Sequence, residues 1–147
     1  MTADEIWRHL PGTRESSVHL AEFLATPDTW VDDALDEQWE HLARIRRTVN
    51  EALEAARAAK TIGAPLTAHV TVTASGDDLR RLRAVEADLP MIFIVSQVTL
   101  AEGDGPVSVA VAHASGDKCP RCWRFVGDLT TAEGVCGRCA DAVGVPA

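Results

Sequence analysis

A chain of 147 residues, 46% of them hydrophobic, has room for one ordinary domain or two small ones. No stretch approaches the roughly 20 consecutive apolar residues that span a bilayer, and the polar, acidic beginning is unlike a signal or transit peptide, so a cytoplasmic setting without a membrane partner is expected. The net charge of −8 would argue against nucleic acid if it were evenly spread, but residues 1–40 hold ten acids and two bases while residues 41–147 hold twelve of each. Basic groups therefore survive beyond the first quarter: Arg44, Arg46, Arg47, Arg57 and Lys60; Arg80, Arg81 and Arg83; Lys118, Arg121, Arg124 and Arg138. They are compatible with RNA contact and equally with solvated faces.

Taken in order, Thr2 and Glu5 form a capping box that opens a short helix with Ile6, Trp7 and Leu10 on its apolar side, stopped at Pro11-Gly12. Residues 13–31 read as loop, with Val18, Leu20, Phe23, Leu24 and Trp30 as anchors. A helix is predicted from Asp32 to Lys60, because Leu35, Trp39, Leu42, Ile45, Val49, Leu53 and Ala56 recur at three- and four-residue steps. Its first turns are acidic and its end basic, as the helix dipole favours, with Gly63 as its stop and Pro65 beyond. At roughly 43 Å it is too long for the neighbouring fragments to cover, which points to a helix bundle.

After Pro65 the period changes to two. Ala68, Val70, Val72 and Ala74 alternate with His69, Thr71 and Thr73 in a half-buried strand. Ser75 then caps a helix over about 77–88 that Pro90 ends, and Met91 to Val95 read as a buried strand continuing through Leu100. A Gly103–Pro106 turn leads into a last strand with Val107, Val109 and Val111 on one side. The expected fold class is α+β: part of a helical bundle, a small β-α-β-β unit, and a four-cysteine zinc hairpin module.

All four cysteines lie in two C-x2-C pairs, Cys119/Cys122 and Cys136/Cys139. Such a pair puts two thiolates on one tight turn, and two turns facing each other form the tetrahedral sulfur cage that zinc prefers. The cage leaves no position for a substrate water, so the metal would be structural, one ion, and its binding would largely fold the module. Two disulfides are the alternative, disfavoured in a cytoplasmic chain. Thr130, Thr131, Glu133 and Gly134 between the pairs read as hairpin or loop, and His69 and His113 as surface or packing residues. There is no glycine-rich phosphate loop and no arrangement for nucleophilic catalysis, so no catalytic residue is assigned.

Four blocks carry a resemblance: Thr2-Ala-Asp-Glu-Ile-Trp7 with Ser17-Val-His-Leu20; Val49 to Arg57 with Lys60-Thr-Ile-Gly63; Phe93-Ile-Val-Ser-Gln-Val98; and Lys118-Cys-Pro-Arg-Cys-Trp123 with Cys136-Gly-Arg-Cys139. In order and content they resemble the C-terminal end of bacterial isoleucyl-tRNA synthetases. The resemblance implies that residues 1–63 are the last part of the helical anticodon-binding domain, 64–114 the α/β junction domain, and 115–147 the zinc module that meets the anticodon loop of isoleucine tRNA. The nucleotide-binding fold, with its use of ATP, and the editing domain would belong to the remaining synthetase body, in cis or as a separate chain. Arg121 and Trp123 are then the candidates to contact anticodon bases, Arg124 and Arg138 more loosely, and Arg44, Arg46 and Arg47 to track the stem. Unstacked bases can lie on an aromatic or guanidinium plane while cations hold phosphates; Trp123 could equally be a plug beneath the knuckle.

Two other readings compete. Formamidopyrimidine-type DNA glycosylases end in a similar finger, but they need an N-terminal proline and a helix-two-turn-helix where this chain has Met1-Thr2 and a β-α-β-β unit. A zinc-containing module that docks on a separate polypeptide is the other, favoured by the acidic first 40 residues.

Overall fold

The computed structural model describes residues 2–129 and 134–144. The chain forms two compact units, Met1–Asp33 and Ala34–Ala147.

In the first unit, helix α1 (Thr2–His9) already includes Thr2. Its Asp4 carboxylate organises the following loop, accepting from the Ser17 hydroxyl at 2.6 Å and from the Val18 amide at 3.1 Å while pairing with Arg8 at 2.9 Å. The Ser17 hydrogen bond, above all, holds Asp4 below the usual carboxylate range. Trp7 Nε1 donates to the Glu15 carbonyl at 2.8 Å, and the Arg14 guanidinium lies over the indole, 4.9 Å from its centroid. These polar links replace a core: α1 buries no residue. Of the expected anchors Val18 is half-buried, and the other four are not enclosed. Leu20, Phe23, Leu24 and Trp30 all stand exposed, Phe23 completely, because the loop contributes too few apolar groups to enclose any of them.

Helix α2 (Asp33–Ala58), from Ala34 onward, is the first element of the second unit. Its end differs from expectation: the chain turns at Lys60, φ +60°, before Gly63 is reached. Thr61 N–H bonds the Ala56 carbonyl at 2.9 Å and Lys60 N–H bonds Arg57 at 3.0 Å, a Schellman cap with lysine in the left-handed position. The apolar stripe is divided. Leu42, Ile45, Val49 and Leu53 are buried in the same core as the α/β elements, whereas Leu35 and Trp39 are about half exposed.

Strand β1 (Ala68–Ala74) follows with the predicted alternation of buried and half-buried residues. Helix α3 (Gly76–Ala84) buries Leu79 and Leu82. Ser75 sits at its N-cap but makes no capping bond, its hydroxyl reaching instead to the Gly105 carbonyl at 3.3 Å. The strand expected over Met91–Val95 is absent. Pro90 is the second residue of a helical turn, α4 (Leu89–Ile92), where the missing N–H would have had no partner within the helix. Ile94 then reverses the chain at φ +58°, and pairing starts only with β2 (Gln97–Glu102). With β3 (Ser108–His113), the sheet order is β2-β1-β3, β1 parallel to β2 and antiparallel to β3. Val70, Val72, Phe93 and Val95 complete the core, each large apolar side chain contributing about 1.5–3 kcal/mol by its burial. Among the described residues no helix is long and apolar enough to cross a membrane.

Candidate metal centre

Two short strands, β4 (Asp117–Lys118) and β5 (Phe125–Val126), pair antiparallel and bracket the first cysteine pair. The hairpin thus wraps Cys119 and Cys122; of the residues that link the two pairs, Thr130, Thr131 and Glu133 fall outside the described ones. The turn is closed by Cys119 N–H to the Arg124 carbonyl and Trp123 N–H to the Cys119 carbonyl, both 2.9 Å. The second pair does not form a like turn. Cys136 is the N-cap residue of helix α5 (Gly137–Val143) and Cys139 lies in its first turn, with Gly144 ending the helix in the left-handed conformation. Gly116 fixes the approach to the hairpin: at φ +91° a Cβ there would fall on the Val126 carbonyl group.

The four sulfurs lie within 4.8 Å of one another, three of the cysteines buried and Cys122 partly so. All are free thiols, so neither alternative disulfide is formed. Sulfurs about 2.3 Å from one tetrahedral metal are about 3.8 Å apart; Cys122 Sγ and Cys136 Sγ are 3.7 Å apart. The cluster could therefore hold one metal ion. Burial pushes Cys119 up, but the amides of Cys122, Cys136 and Arg121 directed at its sulfur outweigh that and bring it to about 6. Burial pushes Cys122 up to about 12 and also raises Cys136. Four thiols this close cannot all ionise without a cation among them, which is what a metal supplies. Val135, Ala140, Val126 and Leu129 pack around them as a small second core.

The other sequence candidates divide. Trp123 is 61% exposed, not a plug, and is held at φ +65° with the Lys118 ammonium 5.7 Å from its ring centroid. Arg121 and Arg138 are exposed beside the cysteines, and Arg121 Nη1 lies 3.7 Å from Cys139 Sγ. Arg124 is partly buried and donates through Nη2 to the Ser96 carbonyl at 3.0 Å. On α2, Arg44 and Arg47 share a hollow with Glu40, and Arg44 also bonds His41 Nδ1 at 3.0 Å. Arg46 is elsewhere, beside Trp39, Leu42, Met91 and Ile92 in an apolar groove of about 290 Å³. His69 bonds Thr99 and His113 packs edge-on to Phe125, away from the sulfur cluster. Sequence reasoning missed Ser96, which is 4% exposed and links the hairpin to the sheet; the one signal was a polar residue inside an apolar run.

The architecture and site define an α+β protein with a cluster of four cysteines that could hold a metal ion. No protein-family model matches the chain. The relatives give the family. The chain is 41% identical over 155 residues to the isoleucine–tRNA ligase of Geobacter sulfurreducens, covering 97% of this chain and 17% of that protein. It is 42% identical to those of Syntrophotalea carbinolica and Haemophilus ducreyi, over 94% and 97% of its length and 16% and 17% of theirs. The chain belongs to the isoleucine–tRNA ligase family and spans about one sixth of the length of these relatives.

Proposed function

We propose that this chain corresponds to the C-terminal tRNA-binding region of isoleucine–tRNA ligase, holding one structural zinc ion and contacting the anticodon stem-loop of isoleucine tRNA. Residues 1–63 would be the end of the helical anticodon-binding domain, 64–114 the junction domain and 115–147 the zinc module. Cys119, Cys122, Cys136 and Cys139 would hold the zinc, whose part is to join the hairpin to helix α5. The observation that carries the reading is an exposed tryptophan beside exposed arginines on a cysteine-held turn. Such a turn is rigid enough to present one indole face to an unstacked base, while Lys118, Arg121 and Arg138 hold base edges or phosphates. Activation of isoleucine with ATP would rest with the rest of the synthetase, in cis or as a separate chain in the cytoplasm.

The test is binding of the zinc-loaded chain to an isoleucine anticodon stem-loop and to one of unrelated anticodon, at two salt concentrations. Preference for the isoleucine loop at both is expected; equal, salt-sensitive binding to the two would refute anticodon reading by this region. A second reading, docking on a separate polypeptide, is favoured by the groove lined by Trp39, Ala43, Met91 and Ile92. It can operate alongside the first if the partner is the synthetase body.

A further inference from the structure

The Phe93–Val98 run holds a polar pair, Ser96-Gln97, that metal binding does not use and that pairing in a sheet does not require. Ser96 is 4% exposed, yet each of its polar groups has a partner on a different segment. Its N–H donates to the Ala68 carbonyl at 3.2 Å, joining the start of β1. Its hydroxyl donates to the Leu66 carbonyl at 2.5 Å and accepts the Phe125 N–H of the hairpin at 2.7 Å. Its carbonyl accepts Arg124 Nη2 at 3.0 Å. Next to it, the Gln97 side chain takes the Ser115 N–H at 3.1 Å and donates to the Ser115 carbonyl at 2.9 Å, on the segment that leads into the hairpin. His113 closes the other side, its ring 5.1 Å from that of Phe125.

From this geometry we infer that Ser96 and Arg124 form a polar latch that sets the orientation of the cysteine knuckle on the sheet, and with it the direction in which Trp123 faces. Arg124 is then a positioning residue and not an RNA contact. The cysteine cluster can be closed by a metal without reference to the sheet, so the metal fixes the knuckle internally and leaves its orientation to other bonds. Apolar contacts across this junction are non-directional. The hydrogen bonds made by Ser96 are directional and partly buried, and its hydroxyl engages both its proton and a lone pair. Trp123 lies one residue from Arg124, so a rotation of the hairpin about this junction moves the indole with it. The consequence for binding rests on the anticodon reading proposed above; the latch itself does not.

The experiment therefore has an arm without RNA. Residual dipolar couplings of the zinc-loaded full chain report whether sheet amides (β1–β3) and knuckle amides share one alignment tensor. Wild type and Ser96→Thr, which keeps the hydroxyl, are expected to share one; Ser96→Ala and Arg124→Met are expected to need two. The thiolate absorption of the cobalt-substituted protein should be unchanged in all four. A single shared tensor in both Ser96→Ala and Arg124→Met would overturn the latch. So would loss of the cobalt spectrum in Arg124→Met, because the bridge would then be holding the metal site together rather than orienting it. In the RNA arm both variants should bind the isoleucine stem-loop about tenfold more weakly, the scale of one lost stacking contact. Split tensors with unchanged RNA affinity would leave the latch standing and overturn the anticodon reading.

Discussion

Gly116 and Gly105 make a matched pair, because both have a strongly positive φ but only one is crowded. Gly116 (φ +91°) faces the Val126 carbonyl group, with Gly127 Cα a further 3.1 Å contact; Gly105 (φ +100°) has nothing within 4 Å of where a Cβ would be. An alanine at either position carries the left-handed penalty of about 1–2 kcal/mol, partly offset by about 0.4–1 kcal/mol from a less flexible unfolded chain. Gly105→Ala should therefore cost no more than about 1.6 kcal/mol. Gly116→Ala must also push back the backbone that pairs with Asp117 and Lys118, and overpacking of this kind adds about 1–3 kcal/mol. The extra cost falls on the hairpin, so it should be read there: faster hydrogen exchange at the Cys119 and Trp123 amides, and faster release of metal to a chelator. Equal behaviour of the two variants would refute the close crossing of the linker over β5, and with it the hairpin register.

Other expectations follow from the same structure. Leu42→Ala, at a site 2% exposed, should cost about 2–5 kcal/mol in chemical denaturation; a loss under about 1 kcal/mol would mean that α2 does not pack on the sheet. Asp77, hydrogen-bonded by Arg81 and Arg80, has its pKa lowered. Its stabilising effect is therefore complete above the unfolded carboxylate value of about 3.9 and fades as pH falls through the lower folded value. The melting-temperature gap between wild type and Asp77→Asn should be constant near neutrality and close in acid; a gap unchanged down to pH 2 would contradict this. Removing metal with a chelator should collapse the NMR dispersion of residues 117–126 and 135–143 while β1–β3 keep theirs, and persistence of the knuckle signals would show that the metal does not hold it.

Much of this structure was legible because a single periodicity or spacing carried it. The alternation at Ala68–Ala74 has one solution, since every second residue is small or β-branched and apolar. The two C-x2-C pairs announced a sulfur cluster, and the four thiols converge. The stripe on α2 was legible as a helix but not as a divided surface, because periodicity reports which residues share a face and not what covers each part of it. The failures are at Pro90 and Lys60. Pro90 reads as a stop but lies inside a helical turn that Leu89 opens, and the apolar run from Met91 to Val95 reads as a strand although Ile94 reverses the chain inside it. Long-range pairing hid the rest: beyond its polarity inside an apolar run, nothing local marks Ser96 as a junction residue, since its partners Leu66 and Phe125 are about thirty positions away on either side.

The central claim, that a metal-held turn presents Trp123 to an anticodon base, is tested most directly by the affinity of the zinc-loaded chain for the isoleucine anticodon stem-loop with and without that indole. At about 1–3 kcal/mol per stacked base, Trp123→Ala should weaken binding by roughly ten- to a hundredfold with the metal retained. Equal affinity of the two proteins would contradict the account.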